Sequence, residues 1–287
     1  MSEYKISIEE IKEALKRSGY LLERRVSNMF RSLDYQPVNS PTYIDIETQK
    51  KREYDVDAFK YLELNEFRYT IRFICECKNN ALPVVFFEDD ISYTTYANSI
   101  NTSCQPEVIA TTLNRLGKVE QDEFLVSTQY CTFKDVNSKR RNQQKYEPDW
   151  IAFHEDQQYE AFNQILKASQ YQIDRSRRTL SISTIGNRDI EIIYPLMIFQ
   201  GELYSLLNNE GASLEINSIN HTAYRFLEIG RSVNRHTPFF VDIVTENYLV
   251  DFVRTKEEEA KKIITLIEED VDRFDDLFNR KRISLMQ

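Results

Sequence analysis

Two carboxylates and a lysine, Asp55, Glu76 and Lys78, are the residues of this chain whose types and spacing could do chemistry together. Asp55 lies in residues 52–59 and Glu76 in residues 69–77. Both segments are rich in aromatic and β-branched residues, which is typical of β-strands. The sequence therefore predicts a β-hairpin that carries one acidic group on each strand.

The register of this hairpin decides whether the side chains meet. A two-residue turn at residues 65–66 places Asp55 opposite Glu76. The same register places Glu53 opposite Lys78. Directly opposed side chains have Cβ atoms roughly 5 Å apart, so both carboxylates could hold one cation.

Successive side chains of a strand point to opposite faces of its sheet. On the second strand of the hairpin, this alternation places Glu76 and Lys78 on one face and the two cysteines on the other. One face is predicted to carry Arg72, Ile74, Glu76 and Lys78, and the other Ile71, Phe73, Cys75 and Cys77.

Two neighbouring carboxylates repel each other, which raises one pKa unless a cation lies between them. A hard dication with oxygen ligands, Mg²⁺ or Mn²⁺, fits this demand at Asp55 and Glu76. Lys78 could stabilise developing negative charge or help to orient and deprotonate an attacking water. These groups predict metal-assisted hydrolysis of a phosphodiester. The alternative interpretation is a solvated hairpin face, in which Glu53 pairs with Lys78 and Arg72 with a neighbouring carboxylate.

The first third of the chain also resembles a known family. The matching segments are residues 19–26 with Phe30, residues 52–56 and residues 74–79. Together they resemble the core of the restriction-endonuclease-like superfamily, which is known by its PD-(D/E)xK active site.

The resemblance implies a role for four residues. Family members place a helical glutamate first, an aspartate on the second core strand and the (D/E)xK motif on the third. By position these fall on Glu23, Asp55, Glu76 and Lys78, which are the predicted catalytic residues. The chain departs from the family pattern at Tyr54, where the motif has proline.

The composition predicts a folded, globular and cytoplasmic protein. The 287 residues are 41% hydrophobic and 12% aromatic, which argues against disorder. No apolar run has the length of a membrane span, and residues 1–5 show no signal-peptide pattern, so no membrane contact is expected. The four cysteines show no CxxC spacing, which favours reduced thiols over a disulfide framework or a zinc site.

The formal net charge of −9 is unusual for a protein that binds nucleic acid, so local basic clusters matter more than the total. Three clusters are candidates for phosphate contacts, and one of them, at residues 50–52, lies beside the predicted site. The alternative for each cluster is an ordinary solvated face. The predicted nucleic-acid-binding residues are Lys139, Arg140, Arg141, Arg175, Arg177 and Arg178.

The pattern of elements predicts an α/β fold with a mixed central sheet flanked by helices. Residues 1–180 would form a restriction-endonuclease-like core with a basic insertion. Residues 181–287 would form a β-rich extension and a closing helix, packed on the core as one unit. Four further helices are predicted: one capped by Ser7 and Glu10, one near residues 89–98, one from residue 156 to the Arg175 cluster, and one from Lys256 with an apolar stripe. The further predicted strands are 124–133, a hairpin of 190–199 with 203–207, and strands in 214–226 and 239–253. Residues 135–145 are predicted to form a loop.

The favoured function at this stage is metal-dependent hydrolysis of nucleic acid, with DNA as substrate and an endonucleolytic cut. The resemblance suggests a setting in bacterial defence or DNA repair. One alternative is a catalytically silent, nuclease-like binding or structural subunit. Another is an RNA nuclease gated by a partner or signal, in which the acidic C-terminal helix docks the regulator. That helix could also mediate a homo-oligomer or hold a partner protein.

Overall fold

A computed structural model describes residues 6–45, 47–64, 67–92, 101–102, 123–137, 148–154, 156–182, 188–207, 214–226 and 239–269. Four α-helices and fourteen β-strands lie in these ranges. In chain order they are α1 (Ile8–Arg17), α2 (Tyr20–Ser32), β1 (Gln36–Asn39), β2 (Thr42–Ile44), β3 (Lys51–Glu53), β4 (Val56–Leu64), β5 (Phe67–Asn79), β6 (Val84–Ser92), β7 (Asn101–Thr102), β8 (Glu123–Asp135), β9 (Trp150–Phe153), α3 (Asp156–Ile182), β10 (Arg188–Gln200), β11 (Leu203–Leu207), β12 (Ile216–Ile219), β13 (His221–Phe226), β14 (Phe239–Thr245) and α4 (Leu249–Glu269).

The first N-terminal helix begins where the sequence predicts. Ser7 and Glu10 form the predicted capping box of α1. Gly19 then starts α2, which buries Leu22, Val26 and Phe30 against the sheet. This apolar stripe fixes which side of α2 faces the sheet, and so fixes where its polar residues lie.

A large mixed sheet forms the centre of the described structure. Its main path runs β1-β4-β5-β10-β14-β13-β8-β6-β11-β12, with β7 and β9 attached at its sides. The strand β5 is antiparallel to β4 and parallel to β10, and β10 is also parallel to β14. Strands from the last third of the chain therefore lie next to the predicted hairpin.

Helices cover both faces of this sheet. Ile71, Phe73, Cys75 and Cys77 pack into one buried cluster with α2 and α4, whereas Ile74 packs into the other with α3. The predicted alternation of β5 is thereby confirmed, and Cys75 and Cys77 are free, buried thiols. The predicted α/β class, with a mixed sheet flanked by helices and a helix near the C-terminal end, is confirmed as well.

Three element predictions are wrong, at least in part. Residues 89–92 continue the strand β6, since pairing with β8 overrides their local helical pattern, and residues 93–98 lie outside the described ranges. Residues 249–253 belong to the helix α4, not to a strand.

The third error is the hairpin of residues 190–199 with 203–207. The strand β11 pairs with β6 and β12, not with β10. The connection between β10 and β11 runs beside residues 80–84, where Gln200 O accepts from Asn80 N and Glu202 O from Val84 N. Gly201 is required at this crossing, because a Cβ there would lie 2.8 Å from Asn80 O.

No helix within the described ranges is long and apolar enough to cross a membrane.

Candidate metal-carboxylate site

The hairpin of β4 and β5 brings Asp55 beside the segment that carries Glu76 and Lys78. Its pairing runs from Leu64 opposite Phe67 to Val56 opposite Cys75, so the predicted register is confirmed. Asp55 lies one residue before β4, where the chain bends. Its Oδ2 accepts a hydrogen bond of 2.7 Å from the backbone N–H of Cys77, which fixes the carboxylate at the end of β5.

The predicted position of Glu53 opposite Lys78 is wrong. Glu53 ends β3 and pairs with Thr42 of β2 in a separate two-stranded sheet, because the bend at Asp55 turns the chain away from β5. Glu53 still lies near the site, since its charge raises the pKa values of Asp55 and Glu23.

Glu76 is the most buried acidic group of the site, with 4% of the residue exposed. Its Oε1 accepts a hydrogen bond of 3.2 Å from Lys78 Nζ. Its Oε2 is buried and has no hydrogen-bond partner in the described part of the chain. Leaving such an atom unsatisfied costs about 1–3 kcal/mol, and more when the group is charged, so the position favours a ligand that this oxygen can bind.

Glu23 reaches the same site from α2. Because Leu22 and Val26 point into the core, Glu23 lies at the edge of the buried stripe and is partly buried. Its Oε1 lies close to the helix start, where a Cβ on Gly19 would be 3.3 Å away. A glycine at this position thus leaves room for the glutamate side chain.

Burial, together with the charges of neighbouring acids, raises the pKa values of all three carboxylates. Burial, followed by the charges of Asp55 and Glu23, raises the pKa of Glu76 from 4.5 to about 7 against the opposing effect of Lys78. Burial and the charges of Asp55 and Glu53 raise the pKa of Glu23 to about 7 as well. Burial also raises the pKa of Asp55, even though it accepts the Cys77 N–H.

These residues fit a hard dication that keeps much of its water. In the ranges that the structure describes, no three His, Cys, Asp or Glu side chains form a group able to hold a metal ion. Asp55 and Glu76, however, offer carboxylate oxygens, and one of them is the unsatisfied Glu76 Oε2. Mg²⁺ is commonly held by one or two carboxylates with several waters, so two protein ligands are sufficient.

A buried ion-pair network holds β5 in place on the same face as Glu76. Arg72 Nη1 donates to Asp57 at 2.5 and 2.7 Å, and Arg72 Nε donates to Glu191 at 2.5 Å. Gln172 and Ser176 of α3 donate to Glu191 too. The sequence predicted only that Arg72 could pair with a carboxylate, and Glu191, 119 residues away, gave no local signal.

Arg25 is a neighbour of the site that sequence reasoning missed. It lies two residues after Glu23 and makes a two-pronged ion pair with Glu246, at 2.5 and 2.9 Å. Its Nη2 also donates to Gln200, the last residue of β10. These bonds tie α2 to the ends of β10 and β14, which helps to hold Glu23 over the end of the sheet.

The predicted nucleic-acid contacts are only partly described. Lys139, Arg140 and Arg141 lie outside the described residues. Arg175 is exposed on α3, and Arg177 and Arg178 lie on the same helix, although their side chains are outside the description. The phosphate contacts of all six residues therefore stay predictions.

Comparison of the chain with protein-family models, with curated proteins and with solved structures gave no match in any of the three.

Proposed function

We propose that the chain is a metal-dependent nuclease that hydrolyses phosphodiester bonds of nucleic acid, with DNA as the substrate and an endonucleolytic cut. One observation carries this proposal. Asp55 and Glu76 lie together with Glu23 around a single lysine, and one buried oxygen of Glu76 has no partner in the described residues. A buried group of carboxylates that repel one another is expected to bind a cation.

Each residue has a distinct role in this proposal. Asp55 and Glu76 hold the Mg²⁺ or Mn²⁺ ion, which supplies Lewis-acid stabilisation and an acidified water when bound. Lys78, whose Nζ lies 3.2 Å from Glu76 Oε1, stabilises negative charge on the phosphate or orients the attacking water. Glu23 accepts a hydrogen bond from that water or from a second hydrated ion, because it lies on α2 close enough to interact with the charges of Asp55 and Lys78.

The raised pKa values favour this assignment over a plain salt-bridged face. An exposed hairpin face would leave its carboxylates hydrated and close to their ordinary pKa. Here Glu76 is buried beside two other acids, and Lys78 compensates only part of their charge. Binding of a dication would neutralise the cluster and release the bound protons.

The fold that we propose around this site is a restriction-endonuclease-like core, extended by the later strands. The mixed arrangement of β4, β5 and β10, with α2 on one face and α3 on the other, supports it. The proposed location is the cytoplasm, and the proposed setting is defence or repair. The boundary near residue 180 also stays a proposal.

A catalytically silent nuclease-like binding subunit is the second candidate. The ion pair of Lys78 with Glu76 and the net charge of −9 are the observations that favour it. The third candidate is a gated RNA nuclease. It is based on the acidic residues of the C-terminal region, which could bind a regulator.

Titration of divalent cations with single- and double-stranded DNA and RNA separates these candidates. The variants are Asp55→Asn and Glu76→Gln, with Glu63→Gln as the control because it is exposed near the other end of β4. The proposal expects cleavage of DNA by the wild type and the control, none with chelator, and none in the two site variants. Cleavage of RNA alone would select the gated RNA nuclease. Binding without cleavage in any metal would select the silent subunit.

A further inference from the structure

Three cationic residues, at positions 50–52, lie in the hairpin of β2 and β3 and shortly precede Asp55 in the sequence. Lys51 and Arg52 lie on β3 and are exposed, as is Lys50 just before the strand. None of the three has an ion-pair partner among the described residues. Their positive charge is therefore available to a ligand, in a protein whose net charge is −9.

This hairpin is held firmly on the body of the protein. Asp45 accepts from the backbone N–H groups of Glu47 and Thr48, and Lys167 of α3 reaches both Asp45 at 3.2 Å and Glu47 at 2.6 Å. Gln164 of α3 also donates to the carbonyl oxygen of Glu53. The acidic residues of the turn are thus engaged by Lys167, so they do not neutralise the cations of β3.

The buried side and the base of the hairpin are fixed as well. The ring of Tyr43 packs against Tyr54 and Tyr171, with centroids 6.2 and 6.1 Å apart. Tyr54 N donates to Pro41 O, and Ser40 N donates to Asp55 O. The orientation of β3 relative to Asp55 is therefore set by the fold, which is what a positioned binding surface requires.

A polar cleft of about 460 Å³ runs along this hairpin. It is lined by Thr42, Lys51, Arg52, Glu53 and Gln164. Its volume lies within the roughly 300–1,000 Å³ of typical ligand sites. Its lining lacks the large apolar side chains that bind a drug-like molecule. It carries two cations that suit phosphate oxygens and one carboxylate, that of Glu53.

The cleft also lies within a short reach of the carboxylates. Arg52 precedes Asp55 by three residues, and an extended chain spans at most about 3.6 Å per residue, so their Cα atoms are within about 11 Å. Successive nucleotides of one strand of a duplex rise about 3.4 Å along its axis. A strand bound at Asp55 therefore has phosphates that reach Arg52 within about three nucleotides and Lys51 within about four.

We propose that Lys51 and Arg52 of the β2–β3 hairpin bind the backbone phosphates of a nucleic-acid strand on one side of the phosphate to be cleaved. This inference rests on the proposed nuclease function and adds the path that the substrate takes across the protein. Contacts of this kind fix the register of the substrate and carry no base sequence information.

The experiment measures the affinity of the full chain for fluorescent single- and double-stranded DNA and RNA as a function of salt, with chelator present. The test variant is Lys51→Gln/Arg52→Gln. The matched control is Lys12→Gln/Lys262→Gln, which removes two exposed cations from α1 and α4. Circular dichroism and unfolding curves check that both variants fold.

Loss of two phosphate contacts should lower the slope of log affinity against log salt by about 1.4 for single strands and about 1.8 for duplexes. If the affinities of the two proteins converge near 1 M salt, binding at 0.1 M should be about 25- to 60-fold weaker. The control variant should keep the slope and affinity of the wild type. If the double variant does not fold, each single variant should lose about half of that slope.

A hairpin variant that binds with the slope and affinity of the control would overturn the inference. So would a wild type that binds none of the four polymers. Because chelator prevents metal-dependent cleavage, this result is separate from that of the proposed function. Hairpin-dependent binding without hydrolysis in any metal would overturn the function alone, and hydrolysis with hairpin-independent binding would overturn the inference alone.

Discussion

Replacing Glu76 with glutamine should stabilise the metal-free protein above neutral pH. The pKa of Glu76 rises from 4.5 to about 7 in the folded chain, because burial and the charges of Asp55 and Glu23 disfavour the carboxylate. Folding thus favours the protonated form. The favourable contribution of Glu76 is fully present below about pH 4.5 and is lost as the pH rises through about 7.

The size of this effect follows from the pKa shift. A difference of about 2.5 pKa units at 1.36 kcal/mol each corresponds to about 3 kcal/mol of unfolding free energy. Glutamine keeps the shape of the side chain and does not titrate. The pKa of about 7 already includes the opposing effect of Lys78, whose hydrogen bond this change weakens. The variant should therefore be more stable than the wild type by about 3 kcal/mol above pH 7, and by none at about pH 4.

Urea unfolding with chelator, followed across this pH range, measures the difference directly. Glu63→Gln is the control, because it removes an exposed glutamate from the same hairpin and should follow the wild type. Mg²⁺ at 100 times its dissociation constant should stabilise the wild type by about 2.7 kcal/mol and the Glu76 variant by much less. A difference between variant and wild type that does not change with pH would refute the reasoning.

The remaining predictions concern single side chains. Lys78→Ala should keep divalent-metal binding, measured by calorimetry, but should slow single-turnover cleavage by about 10²-fold or more. An unchanged rate of cleavage would show that Lys78 takes no part in the chemical step. Gly19→Ala puts a Cβ 3.3 Å from Glu23 Oε1, so the rate of cleavage should fall several-fold. The unfolding free energy should change by less than about 1 kcal/mol. An unaltered rate of cleavage would show that Glu23 needs no fixed position. Arg72→Met leaves two buried carboxylates without their cation, so it should lower the unfolding free energy measured in urea by about 3–5 kcal/mol. Arg68 is exposed, so Arg68→Met should lower it by less than about 1 kcal/mol. Equal losses of unfolding free energy in the two variants would contradict the role of the buried network.

Local patterns explain why the sequence predicted the hairpin well. A two-residue turn between two clear strands leaves few registers open, and alternation along β5 then fixes which side chains share a face. The structure has this register from Leu64 and Phe67 to Val56 and Cys75. The capping box of α1 is equally local, and it too forms as predicted.

Long-range pairing explains what the sequence could not supply. The bend at Asp55 sends Glu53 into a separate two-stranded sheet, and no residue near Glu53 signals this choice. The second partner of β5, besides β4, is β10, more than 100 residues later in the chain. The Gln200-Gly201-Glu202 turn has the residues of a hairpin, but competition from residues 80–84 for its backbone groups directs β11 to β6.

The most direct test of the central claim is the binding of Mn²⁺ to the full chain, measured by electron paramagnetic resonance at neutral pH. We predict that wild type and Glu63→Gln bind the ion, and that Asp55→Asn and Glu76→Gln each lose this binding because each removes one of two protein ligands. Equal Mn²⁺ binding by the Asp55→Asn variant and the wild type would show that Asp55 is not a metal ligand.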